Sequence, residues 1–260
     1  MRVVLITGAS SGIGKELARQ FAYRGYNLLL VARRADLLKQ LADDFISEFG
    51  ITCDYVATDI CENAKQVYDY VIENNYEVTA LINNAGFGDY GRFDEADLEK
   101  LLNMIDLNNK ALVELTYYFI PEMKKLGYGH ILNVGSVASF MPGPYMAVYY
   151  ATKAFVLSFS MSLREELRKD NIKVSVLCPA PTKSAFWKVA GGENAGVIEN
   201  NFARTSTDAA ITGFKLFESG KAYAIDGTFY KIMIEMTRHM PIEMVARIMH
   251  FVQSKTKSKA

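Results

Sequence analysis

Residues 3–14 read V-V-L-I-T-G-A-S-S-G-I-G, and this stretch decides the fold. Its first four residues are apolar, as in a buried parallel strand, and a glycine-rich turn follows them at once. A helical pattern then runs over residues 15–23. A phosphate-binding loop needs this order of strand, glycine turn and helix, because glycine lets the backbone approach a phosphate and the helix N-terminus offers free N–H groups. The spacing G-x-x-x-G-x-G leaves two interpretations open, a dinucleotide-binding loop and an ordinary tight turn.

Similar apolar segments recur along the chain and alternate with helical patterns. Further strands are predicted at 27–31, 52–57, 78–82, 130–135, 172–177 and 222–225. Helices are predicted at 34–49, through 67–71, at 95–125, from near 149 to about 169, and at 207–218. This alternation predicts an α/β fold of Rossmann type, a doubly wound domain with a parallel sheet of about seven strands and helices on both faces.

No linker, repeat or low-complexity tract divides the chain, so residues 1–260 are expected to form a single dinucleotide-binding and catalytic domain. Residues 185–220 begin with a long stretch of weak periodicity and are predicted to include a substrate lid. Residues 228–253 have helical spacing interrupted by Pro241 and predict a C-terminal helix pair.

Composition narrows the class of function. The chain has 260 residues, a net charge of zero and 22% charged residues, so no nucleic-acid partner is expected. Its three cysteines are scattered, without the spacing of a metal site or a disulfide framework. No apolar run is long enough to span a bilayer, and the apolar start is too short for a signal peptide. A cytoplasmic protein is expected.

The end of the second strand predicts which cofactor binds. In dinucleotide-binding folds this point meets the adenosine ribose, and an acidic residue there favours NAD. This chain has Ala32, Arg33 and Arg34 instead, with no acid before Asp36. Because a guanidinium binds phosphate through two hydrogen bonds, Arg33 is predicted to select NADP(H), while Arg34 suits a solvated helix start.

Polar residues follow the third and fourth strands. Asp59 could accept a hydrogen bond from an adenine amino group, or it could cap the next helix. Residues 83–86, N-N-A-G, permit backbone contact with a ligand and would also make a good turn. Asn108 and Asn109 lie inside a predicted helix, where asparagine is unfavourable, so another group is expected to compete with the backbone there.

Residues 136–153 carry the clearest sign of chemistry. Ser136 ends the strand 130–135, and Tyr149 and Lys153 are four residues apart, hence on one face of a helix. A unit charge about 4 Å from a phenolate lowers its pKa by as much as about 3 units. Lys153 is therefore expected to bring Tyr149 into the range of a general acid/base. A surface Tyr–Lys pair is the plain alternative.

Together these motifs resemble the short-chain dehydrogenase/reductase family. The resemblance rests on T-G-A-S-S-G-I-G at 7–14, N-N-A-G at 83–86, Asn108, Ser136 and Y-x-x-x-K at 149–153, in the family's order and separations. It covers residues 1 to about 184. The last seventy residues more loosely resemble bacterial reductases related to the 17β-hydroxysteroid dehydrogenases.

The resemblance implies an NADP(H)-dependent oxidoreductase that interconverts a carbonyl and an alcohol, on an apolar or bulky small molecule. It implies four catalytic residues: Tyr149 as general acid/base, Lys153 beside it, Ser136 at the substrate oxygen and Asn108 holding a water. The cofactor-binding residues it implies are Gly8, Ser10, Ser11, Gly12, Ile13, Gly14, Arg33, Asp59, Ile60, Asn83, Ala85, Tyr149, Lys153, Pro179, Thr182 and Ser184.

Two other functions stay open. An NADP-binding regulator or redox sensor would keep the glycine loop and lose the catalytic residues, which are all present here. A serine hydrolase using Ser136 is disfavoured, because no G-x-S-x-G motif surrounds it and His130 lies at the other end of the strand.

The C-terminal segment is methionine-rich and basic, which leaves three interpretations. It could pack on its own domain or on another subunit, form a flexible wall over an apolar substrate, or lie on a membrane surface. The first is favoured. The segment is expected to pack within a homodimer or homotetramer, with the inner rim of the segment touching an apolar substrate. A membrane role is not expected.

Overall fold

A computed structural model describes residues 1–183, 186, 190–191 and 203–257 of the chain. Seven strands form one parallel sheet in the order β3-β2-β1-β4-β5-β6-β9, which confirms the predicted fold. They are β1 (Arg2–Thr7), β2 (Leu28–Ala32), β3 (Cys53–Ala57), β4 (Glu77–Asn83), β5 (Gly129–Val134), β6 (Ile172–Cys178) and β9 (Tyr223–Ile225). Two short strands, β7 (Thr182–Lys183) and β8 (Arg204–Thr205), pair separately.

Helices connect the strands and extend the C-terminus. They are α1 (Gly12–Ala22), α2 (Ala35–Phe49), α3 (Ile60–Glu73), α4 (Leu98–Ile105), α5 (Ala111–Leu126), α6 (Ala147–Glu166), α7 (Ser206–Ser219), α8 (Thr228–Arg238) and α9 (Ile242–Lys257). Among the described residues, no helix combines the length and apolar character that a membrane crossing requires.

The central strand shows how the sheet divides the core into two layers. In β1, Val4 and Ile6 are buried against α1, α2 and α7, whereas Val3 and Leu5 are buried against α3 and α5. Successive side chains of a strand point to opposite faces, so a strand with helices on both faces must be apolar throughout. Each such side chain stabilises the fold by about 1.5–3 kcal/mol.

The helix predicted at 95–125 is instead broken into two helices by one wide turn. Residues 106–110 form a π-helical turn between α4 and α5. Both asparagines there are buried and donate hydrogen bonds to Thr152 of α6, Asn108 to Oγ1 and Asn109 to the carbonyl oxygen, each at 3.0 Å. The competing partner is therefore a neighbouring helix, and π-helical turns of this kind are frequent at functional sites.

The lid predicted for 185–220 is wrong for its last third. Helix α7 is a core element, with Ala210, Phe214 and Leu216 buried in the layer that α1 and α2 form. The sequence pattern of α7 has the apolar spacing that such packing requires. Residues 184–185, 187–189 and 192–202, where the remainder of that prediction falls, lie outside the described residues.

The C-terminal helix pair packs on its own domain. Ile234 of α8 and Val245 of α9 are buried in a third core cluster, which also contains Val137 and Met141 from the loop after β5. That loop follows Ser136, so the C-terminal helices and the candidate catalytic loop share one small core.

The glycine loop lies where β1 meets β4, the point at which the strand order reverses. Ligands of open α/β sheets bind in the crevice at such a point. Gly8 has φ +65°, and a Cβ atom on Gly14 would lie within 3.0 Å of the Gly8 carbonyl oxygen and of the Asn84 amide nitrogen. Only glycine at 14 lets α1 start this close to the loop.

We expect Gly14→Ala to destabilise the protein by about 1–3 kcal/mol, because the new methyl group meets backbone that cannot move aside. Urea unfolding measures the change. Gly91→Ala is the matched control, since a Cβ atom there has nothing within 4 Å. Equal stability of the two variants would contradict the close-packing role of Gly14.

Candidate active site

A cleft of about 1250 Å³ runs along the carboxyl ends of the strands. It receives residues from the glycine loop, from the ends of β2 to β6 and from the start of α6. The predicted site residues that line it are Gly8, Ser10, Ser11, Gly12, Ile13, Arg33, Asp59, Ile60, Ala85, Ser136, Tyr149, Lys153, Pro179 and Thr182. The fold thus brings residues from 8 to 182 into one groove.

The glycine loop forms one end of this cleft. Gly12 also has a positive φ, +59°, and begins α1. Ser11 precedes the helix but makes no side-chain cap, so the first N–H groups of α1 are not bonded to it. Free N–H groups at the start of a helix favour an anion.

Thr7 and Asn84 fix the floor of the cleft by joining the ends of β1 and β4. The Thr7 hydroxyl accepts hydrogen bonds from the backbone N–H groups of Asn84 and Ala85, both at 3.0 Å. The Asn84 side chain donates to the Thr7 carbonyl oxygen at 2.9 Å. Both residues belong to motifs that the sequence shows, but a motif does not predict these bonds, because they join segments 77 residues apart.

Arg34 was underestimated from the sequence. Its guanidinium donates to the hydroxyl groups of Ser10 at 2.9 Å and Ser11 at 3.0 Å, across the opening of the cleft. The side chain of Arg33 is 78% exposed and lies 3.5 Å from the Asp59 carboxylate. Both arginines line the cleft. The adjacency of β1 and β2 in the sheet was the signal that could have placed Arg34 beside the loop.

Asp59 caps a helix, which is one of the two roles that the sequence left as alternatives, and its contact with adenine stays a prediction. Its Oδ1 accepts a hydrogen bond from the Cys61 N–H at 3.0 Å and so caps α3. Its other oxygen faces Arg33, and the residue lines the cleft. The cap holds this carboxylate at the wall of the cleft.

Ser136, Tyr149 and Lys153 meet where β5 ends. The Ser136 hydroxyl lies beside the Tyr149 phenol, close enough to lower the pKa of that phenol. The Lys153 ammonium donates to the Val134 carbonyl oxygen at 2.9 Å and lies 5.9 Å from the centre of the Tyr149 ring. Because α6 begins at Ala147, Tyr149 and Lys153 lie on one face of its first turns.

The expected lowering of the tyrosine pKa is not found. Burial raises the pKa of Tyr149 to about 12, and the neighbouring Ser136 hydroxyl opposes that shift. Burial lowers the pKa of Lys153 to about 8. The ammonium is directed at Val134, so burial decides both shifts. At neutral pH the phenol holds its proton and the ammonium is still mostly charged.

Three predicted residues lie behind the cleft and do not line it. Gly14 packs under the loop, as described above. The Asn83 side chain is buried between strands and donates to the Asn133 amide oxygen at 2.9 Å. Alternation along β4 turns Asn83 inward, and it is Asn84 that lines the cleft. Ser184 lies outside the described residues.

Asn108, like Gly14 and Asn83, does not line the cleft, but it holds residues beside the cleft in place through hydrogen bonds. Its amide group exchanges two hydrogen bonds with the backbone of Phe87, at 3.0 and 3.1 Å, in the loop after β4. It also bonds to Thr152, which precedes Lys153. Asn108 therefore links that loop to α6.

A serine hydrolase does not fit this arrangement. His130 stands at the start of β5, at the opposite end from Ser136, and is bonded to Ser175 at 2.9 Å. Its ring stacks on Phe217 at 4.4 Å. Burial lowers the pKa of His130 to about 3, so it is a neutral core residue far from the cleft.

Aromatic and apolar side chains surround Tyr149 at the other end of the cleft. The Phe186 ring lies 5.3 Å from the Tyr149 ring. A Cβ atom on Gly88 would lie 2.6 Å from Phe186 and 3.3 Å from Met146, so the absence of a side chain there leaves room for both. Phe87, Val137 and Tyr150 also line this end.

The family model described as short chain dehydrogenase matches residues 2–195. The chain belongs to this family. Its members are oxidoreductases that bind a nicotinamide cofactor. The family resemblance in the sequence is confirmed, while its narrower relation to the 17β-hydroxysteroid dehydrogenases stays a prediction.

Individual relatives differ in their substrates. The very-long-chain 3-oxoacyl-CoA reductase of Kluyveromyces lactis is 34% identical over 194 residues, which are 71% of this chain and 56% of that protein. The chain thus spans little more than half the length of that relative. Sulfoacetaldehyde reductase 2 of Chromohalobacter salexigens is 35% identical over 196 residues, 74% of this chain and 78% of that one.

Among solved structures, a short-chain dehydrogenase from Sphingobium yanoikuyae in complex with NADPH superimposes with a TM-score of 0.81. It is 31% identical, and the match covers 93% of this chain and 97% of that one.

The cleft of this short-chain dehydrogenase fits a dinucleotide. Gly8 and Gly14 leave a cradle that Cβ atoms would fill, and two arginines at its opening favour a phosphate. At about 1250 Å³ the cleft exceeds the 300–1000 Å³ or so of a pocket for one drug-sized ligand, as a larger ligand such as a dinucleotide requires. Tyr149 and Lys153 stand at the end away from the arginines.

We expect Lys153→Met to stabilise the folded protein by about 1–3 kcal/mol at pH 7, since it removes a buried charge and loses one hydrogen bond. The native pKa of about 8 lies below the ordinary 10.5. Wild type therefore bears the full charge-burial penalty below pH 8 and is relieved of it as pH rises to 10.5. The advantage of the variant should shrink over that range.

Urea unfolding at pH 7 and pH 10 checks this prediction. The matched control is Lys39→Met, which changes an exposed lysine paired with Asp43 and should leave stability nearly unchanged, because solvent screens surface ion pairs. A Lys153→Met variant less stable than wild type at pH 7 would contradict a penalty from charge burial.

Proposed function

We propose that the protein is an NADP(H)-dependent oxidoreductase that interconverts a carbonyl and an alcohol, with Tyr149 as general acid/base. The supporting observation is the Tyr149 phenol beside Ser136 in a dinucleotide-sized cleft, with a buried ammonium 5.9 Å from the centre of its ring. In the reducing direction, a nicotinamide dinucleotide held by the glycine loop, Arg33 and Arg34 would supply the hydride for the carbonyl carbon.

Residues of this chain donate the proton that the substrate oxygen receives and hold that oxygen in place. Tyr149 gives its proton to the oxygen of the substrate, and the pKa of about 12 keeps that proton available at neutral pH. The hydroxyl group of Ser136 holds the same oxygen in reach. The buried Lys153 ammonium lies 5.9 Å from the centre of the Tyr149 ring, so it can balance part of the negative charge left on the phenol oxygen, although burial outweighs it in the resting enzyme. Asn108 acts indirectly, by holding Thr152 and the loop at Phe87.

The substrate class is an apolar or bulky carbonyl compound or alcohol. Phe87, Met146, Tyr150 and Phe186 give the wall around Tyr149 a carbon-rich surface. Such a wall favours an apolar body next to the reacting carbonyl. The wall suits a ligand like that of the very-long-chain reductase better than a small sulfonate.

We expect Tyr149→Phe to lower kcat by about 10²–10⁴-fold, because the proton donor is lost. The dissociation constant for NADPH should change little. NADPH consumption with a panel of ketones and fluorescence titration of NADPH measure the two effects. Tyr117→Phe, at a side chain that is exposed, is the matched control. Near-full activity in Tyr149→Phe, or no turnover of any carbonyl by wild type, refutes the proposal.

We expect NADPH to bind more tightly than NADH, with Arg33 and Arg34 both responsible. Arg33→Ala and Arg34→Ala should each weaken NADPH about 10- to 100-fold, the loss of a charge-assisted phosphate contact of roughly 1.5–3 kcal/mol. NADH should be little affected. Arg92→Ala, at an exposed arginine outside the cleft, is the control. Equal weakening of both cofactors would show that the arginines act structurally.

A further inference from the structure

Helix α9 is attached to the substrate end of the cleft by one buried polar residue. Gln253 is 5% exposed and lies on the helix face that also carries Val245 and Met249. Its amide nitrogen donates to the Tyr150 hydroxyl at 2.9 Å. Its backbone carbonyl oxygen accepts a hydrogen bond from the Tyr90 hydroxyl at 2.6 Å. We name these three residues the C-terminal brace.

Stability alone does not explain a glutamine here. The Gln253 amide oxygen is buried and has no hydrogen-bond partner among the described residues. Burying such a group without a partner is unfavourable, whereas leucine would bury no polar atom at this position. The side chain that is present instead provides a specific bond to Tyr150.

Tyr150 transmits this bond to the site. It is the neighbour of Tyr149 and lines the cleft, and the two rings lie 6.1 Å apart in an edge-on arrangement. Its ring packs on the backbone of Gly143, where a Cβ atom would lie within 3.0 Å of the ring. With Gly143 against its ring and Gln253 at its hydroxyl, Tyr150 has a fixed position in the first turn of α6.

The second bond of the brace, from the Tyr90 hydroxyl to the Gln253 carbonyl oxygen, joins α9 to the loop after β4. Tyr90 belongs to the loop after β4, and the next N–H, of Gly91, donates to the Tyr145 carbonyl oxygen at 2.8 Å. The Tyr145 ring stacks on His250 of α9 at 5.2 Å. Tyr145 also has φ +65°, an unusual conformation for tyrosine that such contacts maintain. Helix α9 thus contacts both loops beside Tyr149.

We propose that Gln253 is a positioning residue for the reaction: through Tyr150 it sets the place of Tyr149 and of the apolar wall that receives the substrate. The inference rests on the proposed function. It makes the C-terminal helix part of the substrate end, while the glycine loop and the arginines are left untouched. Loss of the brace should therefore affect the carbonyl substrate and spare the cofactor.

The kinetic test uses Gln253→Leu, Tyr150→Phe and the double variant, with a bulky ketone and NADPH. Each single change should lower kcat by about tenfold or more, because small displacements of reacting groups are costly. The double variant should be no worse than either single one, since both remove the same bond. The dissociation constant for NADPH should stay within twofold. Gln253→Glu, which can accept a bond from the Tyr150 hydroxyl, should recover most of kcat.

Ser254→Ala is the control on the same helix, because that hydroxyl bonds within α9 to Phe251. Additive losses in the double variant, or equal losses in Gln253→Glu and Gln253→Leu, would overturn the positioning role. Unchanged kcat in both single variants would overturn it as well.

Hydrogen exchange in the cofactor-free protein tests the brace without turnover. The amide of Tyr150 should exchange about tenfold faster in Gln253→Leu and in Tyr150→Phe, because both variants lose the bond to the Tyr150 hydroxyl, with β5 amides unchanged as the internal reference. Unchanged exchange at this amide in both variants overturns the brace whatever the kinetics show. If wild type reduces no carbonyl, the proposed function fails, and the exchange result still decides whether the brace exists. Tyr150→Phe answers the question if Gln253→Leu does not fold.

Discussion

The burial of the Lys153 ammonium is the constraint on which the rest of the site depends. The residue is 6% exposed, and an isolated charge at such a position is strongly unfavourable. The carbonyl oxygen of Val134, at the end of β5, compensates part of that penalty. This contact requires α6 to begin close beside β5, which also places Tyr149 at the bottom of the cleft. The low pKa of about 8 records the penalty that remains.

The environment of Lys153 explains an otherwise costly irregularity. The π-helical turn at 106–110 directs two consecutive asparagines at α6, where Thr152 accepts from both. In a regular helix, neighbouring side chains diverge by about 100° and would not reach one residue together. A Cβ atom on Gly86 would lie 2.7 Å from the Asn108 amide oxygen, so glycine is needed at that point of the loop. The irregular turn, the glycine and the buried lysine therefore support one another.

The two halves of the cleft are built in different ways. The half that fits the dinucleotide comes from strand ends and tight turns in the first third of the chain, with Thr7 and Asn84 joining β1 to β4. The half around Tyr149 comes from loops that later elements hold in place. Val137 and Met141 share a core cluster with α8 and α9, and Gln253 bonds directly to Tyr150.

The sequence by itself determined the sheet, the glycine loop and the positions of Ser136, Tyr149 and Lys153. These depend on local patterns: strands apolar throughout, glycines between strand and helix, and the four-residue spacing of a helix face. The same reasoning placed Asn108 at a disturbed helix, because asparagine is unfavourable in a helix interior.

Tertiary structure decided what depends on contacts between distant segments. It turned Asn83 inward and Asn84 into the cleft, because alternation along β4 becomes fixed only when the neighbouring strands pair. It placed the Arg34 guanidinium within hydrogen-bond distance of Ser10 and Ser11. It also buried Tyr149, and that burial, rather than the lysine charge, decides the pKa of the phenol. The sequence pattern of α9 predicts a helix with an apolar face, but a pattern does not name a partner. Gln253 meets Tyr150 across 103 residues because two helices from distant parts of the chain pack on the same core.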